Sequence, residues 1–346
     1  MPTREGFRTS AFAHLPPSFL TMRRATALLF LFCGLACLGA DLKKNQPPPA
    51  PVVSLPRIYS YPRQVENWLD VQVALARQAI SCGSIDGVGG HQSAAGLRAF
   101  QERAGLETTG RLDNETRAHL MLTAHPFKQI TLAAEDLANL QPLSKTWLGK
   151  SQQTSLAYET ALELVAERFH AHPKLIQSLN PNVDWSAITP TTSLTVPWIE
   201  RTAPLSPPAH LHISLSEHTL EARDAAGNII AHFPVSIARL AEKRPEGELH
   251  VVVVIPNPDY TFDPEVFPES AEARELGRKL IIPPGPNNPV GVAWIGLDRP
   301  GYGIHGTPTP EQVGRTESHG CFRLANWDAQ TLLEIAVAGL PVFVDP

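Results

Sequence analysis

Several things are scarce in this sequence, and each scarcity excludes something. The chain has 346 residues and only 4 cysteines. Two of these, Cys33 and Cys37, sit in an apolar run near the start. Cys82 and Cys321 remain, too few for a disulfide framework. No C-x-x-C pair occurs, and Cys321 with His305 and His319 offers three zinc ligands where a structural site wants four. Charged residues are 18% of the chain and the net charge is −5, so no nucleic-acid footprint is visible. The apolar run Ala27 to Leu38 is too short to span a bilayer comfortably.

What is present is a globular composition, 43% hydrophobic, long enough for two or three domains. Proline is abundant at 33 residues and concentrates in linkers and loops. Arg23-Arg24 followed by the apolar run gives residues 1–40 the form of a signal peptide or membrane anchor. Met22 is a candidate start, and cleavage after Ala40 is one outcome. Leu35-Ala36-Cys37 leaves a lipoprotein cysteine open as another. All three place the protein in the periplasm or cell envelope. Residues 41–64 form a Pro-rich linker, with Gln46 to Pro51 semi-rigid and polyproline-like.

Residues 65–124 predict a small three-helix domain. Leu69, Val73, Ala76 and Ile80 mark one helical face. Ser93 is read as starting a second helix, and Asp113 as capping a third with Glu115 in its first turn. Cys82 reads as packing. The pattern Asp86-Gly87, Gly90, Ala99-Phe100-Gln101, Gly105-Leu106, Thr109-Gly110, Asp113 and Thr116 resembles the peptidoglycan-binding-like domain. Residues 125–152 are a connector without a clear signal. In residues 153–197, Tyr158, Ala161, Leu162, Val165, Ala166 and Phe169 share a helical face, followed by Leu175, Ile176 and Leu179. This stretch resembles a LysM-like α/β module, with Tyr158-Glu159-Thr160 where the family has G-D-T. Binding of glycan strands and service as a helical spacer both stay open. Residues 198–208 are a linker.

Residues 209–346 turn β-rich. Leu211, Ile213 and Leu215 alternate, and Val251 to Ile255 reads as a strand buried on both faces. One late helix is expected, with Asp328 at or near its N-cap and Gly339 after its end. Between these lies the chemistry. In an extended segment His319, Cys321 and Arg323 share a face while Phe322 and Leu324 enter a core. A thiol is a weak nucleophile until it loses its proton, and a nearby His or Arg lowers its pKa. His305 lies 16 positions upstream across a loop with Pro308, Pro310 and Gly314, and a Cys paired with a His is a nucleophile–base arrangement. Gly320 leaves room for an acyl substrate, with its N–H and that of Cys321 facing the oxyanion.

His305-Gly306-Thr307, then Ser318-His319-Gly320-Cys321-Phe322-Arg323-Leu324, resembles the L,D-transpeptidase (YkuD) catalytic domain. The likeness extends upstream through Pro284 to Pro289 and Gly301 to Ile304. It implies a mainly β catalytic fold and a cysteine acyltransferase that joins peptidoglycan stem peptides to an amine, without metal or cofactor. It makes Cys321 the nucleophile and His305 the proton acceptor and donor. His319, Gly320 and Ser318 then line the site, and Arg323 holds a substrate carboxylate or the local backbone. Tyr260 is a candidate to reach substrate from a flap, with a plain core or surface role as the alternative. Some relatives carry Ser after the first His and Asn two places after the Cys. Here those positions are Gly306 and Arg323, which leaves the group that orients His305 unassigned. The resemblance also implies a carbapenem target. The expected partners are stem peptides, glycan strands or a wall-linked protein, no nucleic acid, and a monomeric enzyme. A hydrolase of the same fold and an inactive wall-binding scaffold are the alternatives.

Overall fold

The computed structural model describes residues 59–346 apart from 202, 267–270 and 316–319. The expected signal segment and most of the Pro-rich linker therefore lie outside the described residues, as do Ser318 and His319. β1 (Arg63–Gln64) pairs antiparallel with β2 (Met121–Leu122). Between them lie α1 (Trp68–Ala76), α2 (His91–Arg103) and α3 (Asn114–His119). Side-chain caps start two of these helices. Asn67 Oδ1 accepts from Asp70 N at 2.9 Å, and Asp113 Oδ1 accepts from Thr116 N at 2.7 Å. α2 starts two residues before Ser93, after Gly90, which has no side chain to cap it. Ser93 is instead buried and accepts from Gln72 Nε2 at 3.2 Å. Cys82 is buried, and burial pushes its thiol pKa up to about 12, so it packs and does not react.

The stretch expected to be a plain connector holds structure. β3 (Phe127–Ile130), α4 (Ala134–Ala138) and α5 (Trp147–Ser151) lie in it. β3 is four residues long and mostly half-buried, so it gives no alternation to read. α6 (Ala161–Arg168) and α7 (Pro173–Leu179) follow, then β4 (Leu194–Pro197), which pairs antiparallel with β3. Two helices and a two-stranded sheet thus share one module, and residues 131–160 loop out of it. Thr160 and Glu163 form a capping box at the start of α6.

The remaining elements are β5 (His210–Ser214), β6 (Thr219–Arg223), β7 (Ile229–Pro234), β8 (Gly247–Pro256), β9 (Tyr260–Phe262), α8 (Ala271–Leu276), β10 (Leu280–Ile282), β11 (Ala293–Leu297), β12 (Gly303–His305), β13 (Phe322–Arg323), α9 (Asn326–Leu333) and β14 (Pro341–Asp345). Eight strands make one sheet in the order β13-β12-β11-β8-β14-β5-β6-β7. The β12–β13 and β14–β5 pairs are parallel and the others antiparallel. Leu211, Ile213, Phe233, Val251, Ile295, Ile304, Phe322 and Val342 fill one face of this sheet, and α9 adds Ala329 and Leu332. β9 and β10 form a separate hairpin with α8 in its connection.

Three expectations need correction. α8 is a second, short helix beside the late one. α9 ends at Leu333, well before Gly339, whose positive φ of 89° serves the turn into β14. Asp328 sits third in α9, in the first turn and near the N-cap Ala325 as expected, and its carboxylate accepts from Ser81 Oγ of the helical domain at 2.9 Å, with burial pushing its pKa up to about 8. Val251 is 1% exposed, but Val252 and Ile255 are 53% and 39% exposed. Only one face of β8 meets the core, and the other stays open beside the site described next.

Candidate active site

Register brings the reactive residues together. In the parallel β12–β13 pair Ile304 faces Phe322 and His305 faces Arg323. Ile304 and Phe322 enter the core, so His305 and Arg323 occupy the opposite face. Cys321 immediately precedes β13, two places from Arg323, and takes that same face. His305 N–H and C=O groups are used in the sheet, with His305 O accepting from Leu324 N at 2.8 Å. This is the alternation expected of the segment, with Phe322 and Leu324 both buried.

The imidazole of His305 is buried, with Nδ1 2.6 Å from the carbonyl oxygen of Gly306. A carbonyl only accepts, so Nδ1 carries the proton and Nε2 is the basic atom. Gly306, the residue that departs from the family pattern, therefore orients the ring through its backbone. Trp294, opposite His305 in the β11–β12 register, stacks on the ring at 5.7 Å and 21°. Glycine at 303 is needed beneath that indole, since a Cβ there would come within 2.7 Å of it.

A polar bridge holds the turn after His305. Asn326 Oδ1 accepts from Thr307 N at 3.0 Å and Val292 N at 3.3 Å. Its Nδ2 donates to Pro286 O at 3.0 Å and to both carboxylate oxygens of Glu167 at 3.0 and 3.1 Å. Tyr158 Oη also donates to Glu167 Oε1, at 2.9 Å. Burial raises the Glu167 pKa to about 7, although both of those donors favour its charged form. Through this bridge α6 supports the turn after His305.

Electrostatics depart from the sequence-based expectation. Residue Cys321 is half-buried, yet desolvation of the sulfur dominates and raises its pKa. A hydrogen bond with the Gly303 backbone and the Arg323 charge pull it down by less. The thiol itself donates to Gly301 O at 3.5 Å. Burial also lowers the His305 pKa to about 4, with Arg323 adding to the effect. In the resting site the thiol and the imidazole are therefore both neutral at pH 7.

Among the other sequence candidates, Gly320 is half-buried, and among the described residues a Cβ there would meet the Tyr302 ring, 3.9 Å away. Arg323 is half-buried and coupled electrostatically to Cys321. Tyr260 is half-buried on the β9–β10 hairpin, and burial followed by the charge of Cys321 raises its phenol pKa. Ser318 and His319 lie outside the described residues. Trp294, Asn326 and Glu167 went unnoticed in the sequence because none sits in a chemical motif.

Comparison with known families agrees with this geometry. Residues 208–344 match the model described as "L,D-transpeptidase catalytic domain". This stretch is thus similar to L,D-transpeptidase catalytic domains. Residues 64–120 match the model described as "Putative peptidoglycan binding domain". A Bacillus licheniformis protein named "Putative L,D-transpeptidase YkuD" is 25% identical over 185 residues, 54% of this chain and 93% of that protein. The Bacillus subtilis protein named "Putative L,D-transpeptidase YqjB" is 32% identical over 117 residues, 32% of this chain and 57% of its own length. A solved L,D-transpeptidase from Xylanimonas cellulosilytica aligns with 84% of this chain and 100% of its own, at 14% identity and a TM-score of 0.35, too low to carry an argument. The L,D-transpeptidase domain is an acyltransferase, and its pairing with a peptidoglycan-binding domain makes peptidoglycan the substrate.

Proposed function

We propose that this chain is a wall-bound L,D-transpeptidase in which Cys321 carries the acyl group and His305 moves the protons. The observation that carries the reading is the Nδ1 contact with Gly306 O, which fixes the tautomer and leaves Nε2 basic on the face that holds the thiol. Nε2 takes the thiol proton as Sγ bonds to the carbonyl carbon of a donor stem peptide. The tetrahedral oxyanion forms at Gly320, facing its N–H and that of Cys321. Its collapse breaks the C–N bond, and His305 returns the proton to the departing amine, leaving a thioester on Cys321. An acceptor amine then attacks the thioester and gives its proton to Nε2. The new amide leaves, and the thiol regains its proton. Arg323, close enough to influence the thiol, is placed to hold a substrate carboxylate.

The module formed by β3, α6, α7 and β4 is read as LysM-like and as a ligand for glycan strands; its α/β composition supports that reading. The envelope is the compartment, with the N-terminal segment as leader or anchor. Incubation of the protein with peptidoglycan, followed by mass spectrometry of the muropeptides, tests the function. New cross-linked dimers that disappear with Cys321→Ala are the expected result. Shortened stems without dimers would make the enzyme a hydrolase.

A further inference from the structure

The hairpin of β9 and β10 pairs with no strand of the main sheet. Two isolated strands are marginal in water, so something else must hold them. The holder is the segment that loops out between β3 and α6. Trp147 of α5 stacks on Phe262, with ring centroids 4.3 Å apart and planes at 17°. Its ring also meets Tyr260 at 6.2 Å and 38°. Leu148 N donates to Glu272 Oε1 of α8 at 3.0 Å. Leu156 is fully buried and lies against residues 284–287: its N donates to Pro284 O at 2.8 Å, and its O accepts from Asn287 N at 3.0 Å. Gly285 accommodates this contact, because a Cβ there would sit 2.3 Å from Leu156 O. Leu143, Leu148 and Leu156 join Phe262, Ala273, Leu280 and Ile282 in one apolar cluster.

Tyr260 begins this hairpin, opposite Ile282, and β10 runs on into the Pro284 to Asn287 loop, whose Pro286 O accepts from Asn326 Nδ2, the side chain that anchors the turn after His305. The hairpin thus adjoins the loop behind the site at one end and the α5 segment at the other. We propose that residues 143–156 are a brace built into the neighbouring module, and that Trp147 is a positioning residue that sets Tyr260 over the acyl site at Cys321. Trp147 touches no reacting atom. It fixes Phe262, and Phe262 fixes the strand that carries Tyr260. The proposal rests on the acyl-transfer reading of the site, and its test includes a readout that does not.

The test uses the full chain with Trp147→Ala, Trp147→Phe, Tyr260→Ala and the Trp147→Ala/Tyr260→Ala double variant. Alkylation of Cys321 by iodoacetamide, located by peptide mass spectrometry, needs no natural substrate. Buried Cys82 serves as the internal control. Loss of the brace should speed alkylation of Cys321 and, by hydrating the sulfur, move its pH midpoint down. With a stem-peptide donor, Trp147→Ala should lower kcat/KM for acylation about 100-fold, the cost of a displacement of roughly 1 Å near the chemistry. Trp147→Phe should restore most of it, since a phenyl ring can still stack on Phe262. The double variant should be no worse than Tyr260→Ala alone. Multiplying losses in the double variant, or Trp147→Ala with wild-type alkylation, would overturn the brace. If Trp147→Ala fails to fold, Trp147→Leu keeps an apolar contact without the stack and is judged by the same outcomes. A wild-type protein that alkylates but forms no thioester from any stem peptide would sink the acyl-transfer reading, and the alkylation rates would still decide the brace.

Discussion

Consider Asn326→Ala. The side chain is buried, and its amide is the common partner of the Thr307 and Val292 N–H groups, the Pro286 carbonyl and the Glu167 carboxylate. Alanine leaves two backbone N–H groups without that acceptor. Each unsatisfied buried donor costs about 1–3 kcal/mol, so destabilisation of about 2–6 kcal/mol is expected at neutral pH. The sign of the pH dependence follows from Glu167. Its folded pKa of about 7 is above its ordinary 4.5, so wild-type stability is lost as pH rises from about 4.5 to about 7. The Asn326 hydrogen bonds hold that pKa down. Without them it climbs further, and the window of loss extends upward. The cost of Asn326→Ala should therefore be larger at pH 8 than at pH 5.

Denaturant unfolding at several pH values measures this directly, provided the transition is two-state. Acylation kinetics add a second test. Thr307 N would lose its anchor, and the Gly306 carbonyl that pins His305 Nδ1 would drift with it. Acylation should slow even where the protein is fully folded. Unchanged stability at both pH values, with unchanged acylation, would show that the bridge holds neither the loop nor the base.

Other expectations are simpler to state. Cys321→Ala should abolish turnover with the fold intact, while Cys82→Ala should leave it largely unchanged; loss only in the second would move the nucleophile. His305→Ala should slow acylation by at least about 100-fold, the lower range for general base catalysis, and an unchanged rate would exclude it as the base. Glu167→Gln should flatten the stability profile between about pH 4.5 and 7 and relieve about 3 kcal/mol at pH 8, at ~1.4 kcal/mol for each tenfold change in proton affinity; a profile as steep as wild type would refute the burial argument. A carbapenem should add one covalent equivalent at Cys321, faster as pH rises and absent in Cys321→Ala, and folded protein that forms no adduct at any pH would mean the cleft does not admit such donors.

Much of this was legible because some residues declare their structure locally. Asp113 caps α3 as its place before a helical run suggests, and the alternation from Cys321 to Leu324 sorts site from core without any tertiary information. His305 and Cys321 stand in a motif whose spacing carries chemistry. Other features depend on partners distant in sequence. Asp328 stands near the start of α9 as read, but its bond to Ser81 spans 247 positions and no local pattern shows it. Val251 to Ile255 looked wholly buried because an apolar run does not reveal which face another layer covers. Trp147 and Leu156 sit in a stretch with no usable period, and their meaning comes only from Phe262, Pro284 and Asn287. The direction of the Cys321 pKa is of the same kind, since composition shows the nearby Arg323 but not the desolvation that outweighs it.

That desolvation bears on how the enzyme works. The thiol pKa lies above its ordinary 9.0 and the imidazole pKa is about 4. Both shifts act in the same direction and make the thiolate–imidazolium pair costlier than the neutral pair in the resting site. Proton transfer and C–S bond formation must then be coupled, with charge passing from sulfur to the carbonyl oxygen as it appears. The site therefore gains more from donors aimed at the oxyanion than from a preformed thiolate. A resting neutral thiol is also less exposed to oxidants, which attack the thiolate.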